Sequence, residues 1–140
     1  MTHQLSFARL HDYSAAAPAD GITLSVRLRF GDQTVTFTAS IDTGASFCIF
    51  ERGFGEALGL TIEGGEPVRV RAATGMFDVF GHTVTLETLG YSFDTTVYFA
   101  AHEGFARNVL GRRGWLDLVR LGIVDYEGKL YVSRYDGEPE

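Results

Sequence analysis

Residues 35–50 read VTFTASIDTGASFCIF and carry the clearest structural signal of the chain. The first part of this stretch alternates strictly between apolar and polar side chains, which is the pattern of a half-buried β-strand. Its last part, residues 47–50, is a short apolar run typical of a buried strand. Between the two lies Asp42-Thr43-Gly44-Ala45-Ser46. The sequence therefore predicts that the Asp42 carboxylate sits on a loop between two strands.

The segments on either side of this stretch extend the same pattern. Residues 24–30 also alternate, and Gly31-Asp32 supplies turn chemistry before the next strand, so a β-hairpin is predicted. After the apolar run, residues 51–58 are compatible with a short helix that stops at Gly59.

A second hairpin is predicted between residues 67 and 89. Its two strands flank a tip of small residues, Ala72-Ala73-Thr74-Gly75. Aromatic and β-branched residues then predict a strand over residues 91–100, and a polar loop follows over residues 102–107.

The C-terminal part begins with Val109-Leu110-Gly111-Arg112. The apolar residues that follow favour a short amphipathic helix ended by Gly122; they are Leu116, Leu118, Val119 and Leu121. Residues 123–126 and 129–135 predict a last hairpin. The whole pattern predicts an all-β fold with one or two short helices.

Composition limits the function classes. The chain has 140 residues, 45% of them hydrophobic and 21% charged, which is the make-up of one ordinary globular domain. The net charge of -6 and the scattered Lys and Arg residues offer no basic surface, so no nucleic-acid partner is expected. No stretch has the length of a signal peptide or a membrane span, and we expect a cytoplasmic protein without a membrane partner.

Cysteine and histidine residues indicate neither a nucleophile nor a metal site. Cys48 is the only cysteine and lies in an apolar run, so a buried thiol is predicted. The four histidines are dispersed and show none of the short spacings of zinc ligands. We therefore expect no metal and no cofactor.

Three features follow one another along the chain: Asp-Thr-Gly-Ala after an alternating strand, a hairpin with a small-residue tip, and apolar-apolar-Gly-Arg downstream. In these features the sequence resembles the retroviral-type (retropepsin-like) aspartic peptidases. The resemblance covers residues 21–135, and leaves an N-terminal segment, 1–20, and a tail, 136–140. It implies a single-lobe closed β-barrel in which the hairpin over residues 70–79 is a flap above the active-site loop. It also implies that residues 4–10 and 129–135 pair in a sheet between two subunits.

The resemblance further implies an aspartic endopeptidase. In that family two facing carboxylates hold a water and direct it at a peptide carbonyl, and the pair shares one proton because like charges about 3 Å apart cannot both ionise. The sequence contains only one Asp-Thr-Gly, so Asp42 needs the copy supplied by a homodimer. The expected substrate is a peptide or protein.

Site residues follow from the resemblance by position. Asp42, Thr43 and Gly44 are the expected catalytic residues, with the Thr43 hydroxyl bridging the two loops. Four residues are expected to bind substrate, namely Ala45, Ala73, Thr74 and Gly75. Four more are expected to support the loop, namely Val109, Leu110, Gly111 and Arg112.

The sequence leaves two alternatives for the role of Arg112 and two for the function of the chain. In retroviral enzymes the Arg at the Arg112 position pairs with an Asp just after Asp-Thr-Gly-Ala, but this chain has Ser46 there, so Arg112 needs another acceptor or faces solvent. The alternative function is a non-catalytic relative in which the barrel serves as a dimerisation or peptide-binding module.

Overall fold

The computed structural model describes residues 1–16 and 18–138. One short α-helix, α1, spans Arg52–Ala57. The described residues form ten strands, which are β1 Arg9–Asp12, β2 Thr23–Phe30, β3 Gln33–Ile41, β4 Ile49–Phe50, β5 Glu66–Ala72, β6 Gly75–Thr88, β7 Tyr91–Ala100, β8 Val109–Leu110, β9 Val119–Val124 and β10 Lys129–Arg134. Single 3-10 turns lie at Pro18–Asp20, Ile62–Gly64, Leu116–Leu118 and Asp125–Glu127. Within the described residues, no helix is long and apolar enough to cross a membrane.

Seven strands form the main sheet, in the order β2-β3-β8-β4-β7-β6-β5. An additional antiparallel pairing of β2 with β6, through Arg27↔Glu87 to Arg29↔Thr85, closes six of these strands into a ring. Only β5 lies outside the ring, paired on one side with β6. The predicted all-β barrel with a long hairpin and a short helix is confirmed.

In the alternating strands, successive side chains point into and out of the barrel. In the β2–β3 hairpin the register runs from Thr23↔Ser40 to Phe30↔Gln33, so Gly31 and Asp32 make a two-residue turn. Gly31 has a φ of +59°, a conformation that costs glycine nothing. Leu24, Val26 and Leu28 point into the barrel and are at most 1% exposed.

The region after β8 differs from the sequence prediction. Residues 116–118 form only a 3-10 turn, and the chain then enters β9 instead of completing an amphipathic helix. Leu118 and Leu121, three residues apart, fit one face of a helix, whereas Val119 and Leu121, two apart, fit one face of a strand. Pairing with β10 decides for the strand. The predicted last hairpin is present, with β9 beginning earlier than expected.

A second, three-stranded sheet has the order β1-β10-β9. Its strand β1 comes from the predicted N-terminal segment and pairs with β10 from Arg9↔Val132 to Asp12↔Lys129. Because residues 129–132 are hydrogen-bonded on both sides by their own chain, they have no free edge for a strand of a second subunit. The expected sheet of termini between subunits is therefore replaced by a sheet within one chain.

Apolar side chains form two clusters. The larger one fills the barrel and includes Phe50, Phe99, Leu110 and Trp115, each at most 1% exposed. The smaller one is built around Ile49, Val79, Tyr98 and Val109 on the other face of the strands. Partly buried residues pack against it from the β5–β6 hairpin and from the 102–107 loop, namely Val68, Val70, Phe77 and Phe105.

Cys48 is predicted to be chemically inert in the folded protein. It is fully buried, and this burial raises the pKa of its thiol to about 12. With that pKa the thiolate fraction at pH 8 is on the order of one in ten thousand. Native protein should therefore resist iodoacetamide at pH 8 and react once unfolded in urea, as followed by mass spectrometry. Complete alkylation of the native protein within minutes would contradict this packing.

Candidate active site

The Asp42 carboxylate lies where β3 leaves the barrel. The backbone N–H of Asp42 donates to the carbonyl of Leu110 at 3.0 Å, which fixes the start of the loop. The side-chain Oδ1 of Asp42 accepts a hydrogen bond from the N–H of Gly44 at 2.9 Å. Its Oδ2 lies 3.4 Å from Nη2 of Arg107. The carboxylate is thus oriented from both sides while its side chain keeps 33% exposure.

The loop that carries Asp42 is held against residues 110–113 by backbone hydrogen bonds. The N–H of Arg112 donates to Ala45 O, and the N–H of Arg113 donates to Ser46 O, each at 2.9 Å. The N–H of Cys48 in turn donates to Arg113 O at 3.3 Å. Each of the two segments donates hydrogen bonds to the other, although they are remote in sequence. The loop therefore has little freedom to shift.

Gly111 permits this close approach. A Cβ at position 111 would lie 2.1 Å from Phe47 O and 2.9 Å from Ala45 O. Both are backbone atoms, which cannot swing away as the end of a long side chain can. Val109 and Leu110 form the strand β8 that leads here and are buried at 5% and 0% exposure. All four residues expected to support the loop lie against it, Arg112 through its backbone N–H.

A cleft of about 360 Å³ opens above the carboxylate. One side is the loop, through Asp42, Gly44 and Ala45. The other side is the β5–β6 hairpin, through residues 69–73 and Phe77. The floor comes from the smaller apolar cluster, where the rings of Phe77 and Phe105 lie 4.9 Å apart. The cleft therefore combines one carboxylate with an apolar base.

The hairpin presents an unpaired strand edge to this cleft. Residues 69–73 line it consecutively, although neighbouring side chains of a strand point to opposite faces. Within the described chain β5 is paired only with β6, so its other edge keeps free backbone N–H and C=O groups. Such an edge can accept an extended peptide as an added strand.

The expected tip residues divide into two groups. Ala73 lines the cleft together with the strand before it. Thr74 and Gly75 lie beyond the lining, at the exposed end of the hairpin, where Ala72 pairs with Gly75. The structure thus places Ala73 beside the carboxylate's cleft and leaves the other two at its rim.

Thr43 faces a different hollow from Asp42. This second hollow, of about 670 Å³, is lined by Thr43, Ser46, Phe47, Arg112, Arg113, Leu116 and Asp117. Thr43 is exposed, and within the described residues its hydroxyl has no hydrogen-bond partner. Arg112 is also exposed and forms no ion pair with a described carboxylate. The two side chains are therefore available on the outer surface of the loop.

Arg107 is a site residue that the sequence did not reveal. It lies 65 positions after Asp42, in a polar loop whose pattern gives no sign of where its side chain points. Only the folding of residues 102–107 over Phe77 brings the guanidinium to the carboxylate. Within the described residues, no cluster of three or more His, Cys, Asp or Glu side chains could hold a metal ion.

The close packing at Gly111 can be tested by adding one methyl group. Gly111→Ala forces a Cβ into the backbone of the loop, and we expect a loss of unfolding free energy of about 3 kcal/mol or more in urea titrations. Gly104→Ala is the matched control, because a Cβ there meets nothing within 4 Å and its φ is not positive. It should stay within about 1 kcal/mol of the parent chain. Equal stability of the two variants would refute the packing described here.

Comparison with known proteins agrees with this geometry. No curated protein sequence matches the chain. Among solved structures, the EIAV protease complexed with the inhibitor HBY-793 matches with a TM-score of 0.51 at 19% identity, over 64% of this chain and 80% of that one. At that identity the match establishes the shared retropepsin-like fold. A family model described as aspartyl protease matches residues 26–113, which include the Asp42 loop, the β5–β6 hairpin and the Gly111 segment. The chain therefore belongs to the aspartyl protease family.

Proposed function

We propose that this chain is one half of a homodimeric aspartic endopeptidase. The observation that carries the proposal is the placement of Asp42 on a loop fixed against Gly111, on one side of a cleft whose opposite side is a free strand edge. A carboxylate that only ended a strand would need neither the cleft nor the close backbone packing.

The chemistry requires two copies of Asp42. Two carboxylates close together share one proton, so that one can accept a proton from a water while the other donates a hydrogen bond. The shared proton belongs to both carboxylates, so neither copy has a separate acid or base role. Water activated between them attacks the peptide carbonyl without forming a covalent bond to the protein. Each chain contributes one Asp-Thr-Gly, so a two-fold axis beside the loop supplies the second.

The contact of Asp42 with Arg107 does not block this arrangement. The Arg107 side chain is 66% exposed and the two groups lie 3.4 Å apart, so the pair is of the weak, solvent-screened kind. A water and a second carboxylate can take its place at Oδ2. The N–H of Gly44 continues to hold Oδ1, which keeps the orientation of the carboxylate.

Thr43 and the second hollow provide a surface for the partner subunit. The Thr43 hydroxyl, unpaired in the described chain, would donate across the two-fold axis to the partner loop. Arg112, Arg113 and Asp117 line the same hollow and offer charges of both signs, which suits contact between two copies of one surface. The role of Arg112 in this proposal is to support the dimer rather than to act on substrate.

Substrate would bind as an extended strand along β5. Main-chain hydrogen bonds to the free edge give affinity for any extended peptide, and the apolar base of the cleft receives a side chain. Ala45 and Ala73 are small and leave room for the peptide backbone. Thr74 and Gly75, at the rim, would close over it when the hairpin moves as a flap.

The test is cleavage of an unfolded protein substrate as a function of enzyme concentration. Activity per subunit should rise with concentration as dimers form. Asp42→Asn should abolish cleavage, with a loss of at least about a thousandfold, because the proton-sharing pair is gone. Asp32→Asn, in the exposed β2–β3 turn, makes the same chemical change away from the cleft and should leave cleavage unaltered.

Two results would contradict the proposal. Cleavage that survives Asp42→Asn would show that the carboxylate does not take part. Absence of cleavage at every concentration, together with tight binding of the unfolded substrate, would favour the alternative of a peptide-binding module on the same barrel.

A further inference from the structure

The charged side chains of the cleft are mostly of one sign. The residues that line it include one carboxylate, Asp42, and three guanidinium groups, those of Arg69, Arg71 and Arg107. The chain as a whole has a net charge of -6, so this local excess of positive charge runs against the overall composition.

The three arginines differ in their partners. Arg69 forms an ion pair with Asp78 across the β5–β6 hairpin, with Nε and Oδ1 3.4 Å apart. Arg71 forms no ion pair with any described carboxylate, and its cross-strand neighbour is the uncharged Met76. Among the described carboxylates, Arg107 pairs only with Asp42, also at 3.4 Å. Arg69 keeps its partner on the same hairpin, whereas in the proposed dimer a water and the second carboxylate take the place of Arg107 at Asp42. Arg71 and Arg107 are therefore the two cations of the cleft that are available to a ligand.

These two arginines belong to opposite walls. Arg71 is on β5, the strand whose free edge faces the cleft, while Arg107 ends the loop that reaches Asp42. The apolar base, with Phe77 and Phe105, lies in the same cleft. A peptide along β5 would thus place one side chain on the aromatic base and have a guanidinium available on either side of its backbone.

Proton sharing in the proposed dimer increases the excess of positive charge in the cleft. The two Asp42 groups together carry one negative charge when they hold one proton between them. Each copy still contributes Arg71 and Arg107, so positive charge exceeds negative charge over the whole bound peptide. Guanidinium groups bind carboxylates through paired hydrogen bonds, which a neutral amide of the same shape cannot match.

On the basis of the proposed function, we propose that the cleft selects peptides in which an acidic side chain lies near the apolar residue seated on Phe77 and Phe105. Arg71 and Arg107 recognise the acidic side chain. Within one chain the Arg107 guanidinium donates to Asp42 Oδ2. Once a water and the second carboxylate take its place in the proposed dimer, Arg107 is free to bind the substrate carboxylate.

The experiment uses matched peptides with a central leucine and a single Glu or Gln placed in turn at each neighbouring position. For the native dimer, kcat/KM should favour Glu over Gln by about threefold to tenfold at one position or more, as expected for exposed to partly buried charge pairs. The preference should shrink when the salt concentration rises from 0.05 M to 0.5 M. Arg71→Gln combined with Arg107→Gln should bring the ratio close to one.

Two further variants separate charge recognition from a general effect on the fold. Arg71→Glu should reverse the preference, so that peptides with Lys are cleaved better than those with Glu. Arg29→Gln removes an exposed arginine of β2 that is outside the cleft and should keep the native Glu preference. If Arg107 only oriented Asp42, Arg107→Gln would lower the cleavage of Glu and Gln peptides by the same factor.

The outcomes also separate this inference from the proposed function. Equal cleavage of Glu and Gln peptides at every position would overturn the inference while the peptidase stands. If no peptide is cleaved, the proposed function fails, and the inference is decided by binding. For that purpose the same Glu and Gln pairs are made with a hydroxyethylene group in place of the central amide, and their affinities are compared by fluorescence anisotropy. Tighter binding of the Glu form supports the inference, and equal binding overturns it.

Discussion

The contact between the Asp42 loop and residues 110–113 fixes both the barrel wall and the candidate active site. Four backbone hydrogen bonds cross it, from the amide groups of Asp42, Arg112, Arg113 and Cys48. Gly111 is the residue without which the two backbones could not approach. Because β3 and β8 lead into this contact from the barrel wall, the closed ring of strands and the position of the carboxylate are parts of one arrangement.

Local patterns in the sequence predicted most of the barrel. The alternation in residues 24–41 leaves one face of the two strands apolar. Because a shift of register by one residue would expose that whole face, the sequence alone predicts β2, β3 and their pairing. The small residues at positions 72–75 likewise marked a turn between two strands. The Asp-Thr-Gly loop was predicted because its flanks and the distant Gly111 together resemble one known family.

Features that depend on pairing over long distances were missed or predicted wrongly. Residues 116–121 were predicted to be helical because the spacing of their apolar residues fits both the helical and the strand period. Only the pairing with β10 makes β9 a strand. The pairing of β1 with β10 joins residues more than a hundred positions apart, and it replaces the sheet between subunits that the resemblance implied. Arg107 has no sequence signal at all, since an arginine in a polar loop is ordinary until the fold places it 3.4 Å from a carboxylate.

In the proposed enzyme the site of one chain is chemically incomplete, and a second identical chain completes it. Mixing native and variant subunits tests this dependence. Native chains and Asp42→Asn chains are combined at a fixed total concentration, allowed to exchange, and assayed for peptide cleavage. If both copies of Asp42 serve one water, only dimers of two native chains are active, and an equal mixture should retain about a quarter of the native activity. Retention of about half, in proportion to the native chains present, would instead mean that each chain cleaves peptides with its own Asp42 alone.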